Sequence, residues 1–259
     1  MKVRDWYELM IAILLCAGFG TRMYPLTKNI SKPLLKVAGK PVIDYLLDQI
    51  MRFRELEGIY IVVNNRFYSD YVEWRISWQS KIEETGIDIF LFNNGVDDNN
   101  SRRGAISDLA FVLGSGNLYD RNALVSAGDN IFLFDMTNFW EEFVKIPTNQ
   151  LFALKVNNQD QLQRSGVIML NDDNKVINFQ EKPDIPGSHW LCPALYFLTG
   201  NGLRLLNRYL QTTNQQDALG DFIKYLVLST DVFANPIQDN LRYDIGSIED
   251  YQLANEILE

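Results

Sequence analysis

Residues 15 to 35 bring together the groups that a bound polyphosphate needs. The stretch Leu15-Cys16-Ala17-Gly18-Phe19-Gly20-Thr21-Arg22-Met23-Tyr24-Pro25-Leu26-Thr27 is followed shortly by Lys32-Pro33-Leu34-Leu35. The apolar run from Met10 to Leu15 reads as a short buried strand, and the glycines after it let the backbone turn sharply and aim N–H groups at an anion. Arg22 and Lys32 add full positive charge at the same place. The chain as a whole carries a formal charge of −9, so two cations beside a glycine turn point to a phosphate site rather than to a generally basic surface. The dinucleotide fingerprint is not satisfied, because Met23 stands where its third glycine would be.

Three further constellations carry oxygen ligands or charge. Gly128-Asp129-Asn130 places a carboxylate just past the apolar run Leu124 to Ala127. Tyr243-Asp244-Ile245-Gly246-Ser247 places another, followed by Glu249-Asp250-Tyr251. One or two aspartates plus substrate phosphates suffice for Mg²⁺, which prefers oxygen ligands and keeps several waters. Read alone, Gly-Asp-Asn is a turn, and Ser247 with Asp250 is a helix cap. Glu181-Lys182-Pro183 follows the run Val176 to Phe179; on an open surface such a pair is solvated and contributes little.

Taken together, these segments resemble the sugar-1-phosphate nucleotidyltransferases, whose signature is G-x-G-T-R-x-x-P-x-T followed by K-P-L-L. Gly-Asp-Asn, Glu-Lys-Pro and the aromatic-D-x-G-[ST] segment match that family's later motifs. The resemblance implies a Rossmann-like α/β fold with the sugar-binding part inserted in the second half. It also implies transfer of a nucleotidyl group from an NTP, dTTP or UTP ahead of CTP, to a sugar 1-phosphate with release of pyrophosphate. By the same resemblance, Leu15, Ala17, Gly18, Gly20, Thr21, Arg22, Ser101, Gly104 and Asp129 face the nucleotide. Gly166, Glu181 and Lys182 face the sugar phosphate, Asp129 and Asp244 bind Mg²⁺, and Arg22, Lys32 and Lys182 are the catalytic cations. Three positions depart from the pattern: Ser165 replaces a common tyrosine, Pro193 a polar residue, and Arg242 a common tryptophan. All three are expected near the sugar, with Arg242 either neutralising Asp244 or meeting an anionic or larger substituent.

Two other classes share parts of this pattern. A cytidylyltransferase for a non-sugar phosphate such as choline or polyol phosphate shares the glycine loop but generally lacks Glu-Lys-Pro. A non-catalytic nucleotide-sugar-binding relative tends to lose the metal carboxylates or the signature arginine, which are present here as Asp129, Asp244 and Arg22.

Composition narrows the remaining choices. The 259 residues are 47% hydrophobic, enough for one domain with a sizeable core, and we read residues 1–259 as that domain with 1–9 as an N-terminal extension. No basic cluster suits a nucleic acid. Two cysteines, Cys16 and Cys192, and a single histidine, His189, do not supply a zinc site or a histidine-based catalytic centre. The segment Leu9 to Ala17 has the outline of a leader or lipoprotein anchor, but Asp5 and Glu8 interrupt its basic region, Leu15 is not small, and it is too short to span a bilayer. We therefore expect a cytoplasmic protein with no membrane partner; a homo-oligomer stays open.

The elements that must position these residues follow from periodicity. Ile11 to Leu15, Ile59 to Val63, Ile87 to Phe92 and Ala123 to Ala127 read as strands of a mostly parallel sheet. Val42 to Phe53, Tyr68 to Ile82 and Ala105 to Leu113 read as the intervening helices. The second half predicts strands at Leu151 to Val156, Gly166 to Leu170, Val176 to Phe179 and Pro193 to Leu198. Helices are predicted at Gly200 to Leu210, Ala218 to Leu228 and Ile248 to Leu258. In such sheets ligands sit at the carboxyl ends of strands, so the loops at Gly18 to Lys32 and Gly128 to Phe132 should open on one crevice.

Overall fold

A strand with apolar side chains on both sides of its pleat must be covered on both faces. In the computed structural model, which describes residues 10–213, 217–238 and 241–259, β1 (Met10–Leu15) is such a strand. Met10, Ala12 and Leu14 pack into one core and Ile11 and Ile13 into the opposite one, all without exposure. Residues 1–9, read above as an extension, lie outside the described residues.

In chain order come β2 (Lys36–Val37), β3 (Lys40–Pro41), α1 (Val42–Ile50), β4 (Leu56–Val63), α2 (Tyr68–Ile76), α3 (Gln79–Thr85), β5 (Asp88–Asn93) and α4 (Ala105–Ser115). Next are β6 (Asn122–Ala127), β7 (Asn130–Phe132), α5 (Thr137–Lys145), β8 (Asn149–Lys155), α6 (Gln159–Gln163), β9 (Gly166–Leu170), β10 (Val176–Glu181), β11 (Trp190–Cys192) and β12 (Leu195–Leu198). The chain closes with α7 (Gly200–Thr212), α8 (Leu219–Ser229), β13 (Val232–Ile237), β14 (Arg242–Asp244) and α9 (Ile248–Leu258). The main sheet runs β10-β9-β11-β8-β12-β6-β1-β4-β5, with β13 on β8.

The half β6-β1-β4-β5 is parallel, so the carboxyl ends of all four strands meet at one edge. The other half joins it antiparallel through β12 on β6. Side chains of α1, α2, α3 and α5 fill one face, and those of α4, α7 and α8 the other. This is the α/β class expected from the sequence.

Where elements differ from expectation, local bonding explains it. The helix expected over Tyr68 to Ile82 is broken at Ser77, whose Oγ donates to Trp74 O at 2.7 Å and competes with the helical ladder. The indoles of Trp74 and Trp78 both donate to Asp44 Oδ1, at 2.9 and 3.2 Å. The helix expected to reach Phe53 stops at Ile50 and finishes in tighter turns, Phe53 N donating to Ile50 O. Pro193 has no N–H to give a ladder, and the strand expected from Pro193 to Leu198 begins only at Leu195 as β12, with β11, which was not expected, ending at Cys192 before the proline. Residues 130–132, expected as loop, form β7 and pair antiparallel with β14.

Helix α5 has no counterpart in the sequence reading, yet it is integral to the core. Trp140 is fully buried, stacks on Phe53 with ring centroids 4.5 Å apart, and donates from its indole to Arg54 O at 2.7 Å. Trp140→Ala is expected to cost about 4 kcal/mol in urea unfolding. A loss under about 1 kcal/mol, within the range of ordinary surface changes, would place α5 outside the cooperative core.

Candidate active site

The chain leaves β1 at Leu15 and turns outward through Cys16 and Ala17, both buried, to the exposed Gly18. A Cβ at Gly18 would meet nothing within 4 Å, so this stretch of backbone faces open space. Gly20 takes the left-handed conformation, φ 61°. Two buried side chains pin the turn from below. Thr27 Oγ1 donates to Gly20 O at 2.7 Å, and Asn64, past the end of β4, donates to Ala17 O at 3.1 Å. Thr21 and Arg22 follow in a single exposed turn, and Arg22 has no hydrogen bond or ion pair among the described residues.

The loop after β6 arrives directly against this one. Gly128 N donates to Leu15 O at 3.2 Å. A Cβ at Gly128 would overlap Cys16 Sγ and touch Pro33 Cγ at 3.4 Å. Beneath, Tyr71 Oη and Ser31 Oγ share a hydrogen bond at 3.0 Å. Above, Lys32 Nζ forms an ion pair with Asp129 Oδ2. Burial alone would raise the Asp129 carboxyl, but the charge and hydrogen bond of Lys32, with Arg242 behind them, hold it below the usual carboxylate range.

Pairing of β7 with β14 brings the second aspartate to the same place. Asp244 lies opposite Asn130, and Ile245 N donates to Asp129 O at 3.2 Å. Asn130 Nδ2 donates to Asp129 Oδ1 at 2.9 Å, and Arg242 links Asn130 Oδ1 to Asp244 Oδ2 at 2.7 and 3.1 Å. Ser247 caps α9 as expected, accepting from Asp250 N at 3.1 Å, which fixes the loop behind Asp244. Two carboxylates, one in the turn before β7 and one at the end of its neighbour β14, are a donor set that fits a hard divalent cation completing its shell with substrate oxygens and water. No third His, Cys, Asp or Glu joins them as a metal cluster among the described residues.

The antiparallel half supplies a second group. Glu181, Gly166 and Cys192 lie opposite one another across β10, β9 and β11. Lys182 takes a left-handed conformation, φ 45°, donates from its backbone to Ser165 O at 3.1 Å, and stays exposed with its ammonium 3.4 Å from Glu181 Oε1. Glu181 is pressed against Gly220 of α8, where a Cβ would overlap Oε2. Burial raises its carboxyl above the usual range, against the lowering effect of Lys182. The two halves touch through Ala194 O, which accepts from Ala127 N and Ser126 Oγ, each at 3.0 Å.

Ser101 and Gly104 sit apart from the phosphate loop, on the connection between β5 and α4. The Ser101 hydroxyl donates to Asp98 O at 3.2 Å, and Gly104, φ 87°, opens α4. Asp217 clasps this connection, its carbonyl accepting from Ala105 N and its carboxylate pairing with Arg102, both at 2.8 Å. Below it, buried Asn94 donates to Asp108 Oδ1 at 2.8 Å. Both cysteines are buried, and His189 is exposed with Nδ1 3.2 Å from Val156 O. The supporting residues Thr27, Asn64, Asn130, Asn94 and Asp108 received no role from the sequence. Thr27 closes the signature and Asn130 belongs to Gly-Asp-Asn, whereas Asn64, Asn94 and Asp108 leave no signal beyond a polar residue within or just after an apolar run.

Residues 11–259 match the profile of the nucleotidyl transferase family. The chain belongs to that family. It is 27% identical over 224 residues to the bifunctional protein GlmU of Methanocaldococcus jannaschii, covering 84% of this chain and 47% of that protein. Thus it spans about half the length of the GlmU proteins it matches. The glucose-1-phosphate thymidylyltransferase of Mycolicibacterium smegmatis is 30% identical over 189 residues, 73% of this chain and 60% of that protein. Among solved structures, a Bacillus anthracis protein assigned as a glucose-1-phosphate thymidylyltransferase superposes with TM-score 0.82 at 22% identity, covering 96% of this chain and 95% of that one. The CTP:phosphocholine cytidylyltransferase of Streptococcus pneumoniae superposes with TM-score 0.73 at 20% identity, covering 97% and 100%. At those identities the likeness is one of fold, and it does not distinguish a sugar acceptor from a non-sugar one.

Burial raises the Asp108 carboxyl more than the Asn94 hydrogen bond and the Arg103 charge lower it. The folded protein therefore holds this proton to higher pH than the unfolded chain does, and stability falls as pH rises between the two values. Asp108→Asn keeps an oxygen for Asn94 and removes the charge. The variant is expected to be more stable than the parent at pH 7 by about 1 kcal/mol, with the gap closing below about pH 4. Thermal unfolding across pH checks this; a gap independent of pH would contradict it.

Proposed function

We propose that this chain transfers the nucleotidyl group of an NTP to a sugar 1-phosphate, releasing pyrophosphate, in an Mg²⁺-dependent reaction. The observation that carries the reading is the meeting of Lys32 with Asp129, beside an open glycine turn whose arginine has no partner among the described residues. Paired cations and carboxylates balance one another there, so Arg22 is a charge left for an incoming polyphosphate.

The division of labour follows from position. Arg22 and the backbone amides of Gly18 to Thr21 would hold the β and γ phosphates, with Leu15 and Ala17 forming the floor below. Lys32 would give up Asp129 for the α phosphate and offset the charge that builds there. Lys182, exposed on its left-handed turn, would place the acceptor phosphate in line, with Glu181 and Gly166 against the sugar hydroxyls and ring. Ser101 and Gly104 would lie over the base, for which we favour dTTP or UTP ahead of CTP. An oxygen of the acceptor phosphate forms the new bond to the α phosphorus as the bond to the β-phosphate oxygen breaks. That oxygen is already anionic, so no general base is required. Asp129 and Asp244 are the residues that would hold Mg²⁺, which when bound supplies charge neutralisation at phosphoryl oxygens.

The test is a pyrophosphate-release assay crossing nucleoside triphosphates with sugar 1-phosphates, with choline phosphate as the non-sugar arm. Release with a sugar 1-phosphate supports the reading; release with choline phosphate alone overturns it. Asp129→Ala and Asp244→Ala are each expected to lower turnover at least about a thousandfold, on the order of 4 kcal/mol. Near-parental rates at saturating Mg²⁺ would contradict the two-aspartate site.

The cations should separate kinetically. Arg22→Ala is expected to act on the triphosphate and to be poorly restored by Lys, because a guanidinium forks onto phosphate oxygens where an ammonium is a point charge. Lys182→Ala should raise KM for the sugar phosphate more than for the triphosphate. Equal effects of both variants on both substrates would refute this division.

A further inference from the structure

Arg242 stands where the two halves of the crevice join. Its side chain is only 7% exposed, yet its partners among the described residues engage just two of its nitrogens. Nε donates to Asn130 Oδ1 and Nη2 reaches Asp244 Oδ2, which leaves most of the five N–H donors of a guanidinium unused. Nη1 has no partner among the described residues. Among those residues the only fully buried side-chain polar atom without a partner is Gln49 Oε1, so Nη1 keeps some exposure. A counter-ion serving Asp129 and Asp244 needs no such free edge.

Ala194 O binds the end of β6 just before Asp129, and Cys192 lies in the same cross-strand row as Gly166 and Glu181. The positive charge of Arg242 and the negative charge of Glu181 both act on the buried Cys192 thiol and Tyr196 phenol, which burial raises. An acceptor that reaches from Glu181 to Asp129 spans the segment 192–194 and comes beside Asn130, which Arg242 binds.

We propose that Arg242 selects sugar 1-phosphates bearing a second oxyanion on the ring, a carboxylate or a phosphate, which docks on the free Nη1 edge of its guanidinium. This rests on the sugar 1-phosphate reading above. Arg242 is then a specificity residue on one side and a positioning residue for Asn130 and Asp244 on the other.

The experiment compares glucose 1-phosphate, glucuronic acid 1-phosphate and glucose 1,6-bisphosphate as acceptors at fixed ionic strength. In the parent, at least one dianionic-ring acceptor is expected to exceed glucose 1-phosphate in kcat/KM by about tenfold or more, mainly through KM. The carboxylate and phosphate arms tell the two oxyanions apart. In Arg242→Gln that ratio is expected to fall to near one. The ratio cancels any loss of turnover common to all acceptors from a weakened hold on Asn130 and Asp244. Arg242→Lys keeps the charge without the planar edge and should retain an intermediate ratio. If glucose 1-phosphate reacts and is preferred by the parent, or if the ratio survives Arg242→Gln, the assignment of Arg242 falls while the transferase reading stands. No pyrophosphate release with any sugar 1-phosphate overturns both.

Discussion

The crevice depends on how closely the end of β6 approaches the end of β1. Gly128 has no side chain, and in its place sit Cys16 Sγ and the Pro33 ring. That contact seats the Gly128 amide on Leu15 O at 3.2 Å and sets Asp129 beside Lys32. The rest follows in sequence. Asp129 O accepts Ile245 N, Asn130 ties to Arg242, and β14 is drawn onto β7 so that Asp244 lies opposite Asn130. A single small residue thus fixes the relation between the phosphate loop and both carboxylates.

Charge in the crevice is balanced pair by pair. Lys32 pairs with Asp129, Arg242 with Asp244 and Lys182 with Glu181, while Arg22 has no partner among the described residues. Balanced pairs spare the empty crevice the cost of isolated buried charge. They also hold each side chain near the place a phosphate would need it, so binding exchanges partners rather than ordering free chains. Glu181 and Asp129 show how environment divides like groups: burial dominates at Glu181 and raises it, whereas Lys32 and Arg242 prevail at Asp129 and lower it.

Much of this was legible in the sequence because the chemistry is local. Gly18 to Arg22, Lys32 to Leu35, Gly128 to Asn130 and Glu181 to Pro183 each lie within a few residues, and the runs that carry them have clear periods. The parts that were not legible depend on distant partners. β7 and β14 are three residues each, too short for a period, and exist because residues 130–132 and 242–244 meet. Helix α5 has its pattern carried by large aromatics, Trp140 and Phe143, whose place is set by Phe53 and Phe197. The break at Ser77 needs Asp44, more than thirty residues away, to receive both indoles. Asn64 looks like an ordinary polar residue, and Thr27 only like the end of a signature, until their bonds to Ala17 and Gly20 are seen.

The contact between Gly128 and Cys16 can be tested by adding and then removing atoms. Gly128→Ala inserts one methyl group where Cys16 Sγ lies, at a position whose backbone does not take a positive φ and so tolerates a side chain. The measurement is pyrophosphate release by Gly128→Ala and by the double variant Cys16→Ala with Gly128→Ala, each checked for cooperative unfolding. The account predicts a folded single variant with turnover reduced about a hundredfold, as for a displacement of about 1 Å at a reacting centre, and recovery of at least about tenfold in the double variant. Parental turnover in Gly128→Ala, or a loss that removal of the sulfur does not relieve, would contradict it.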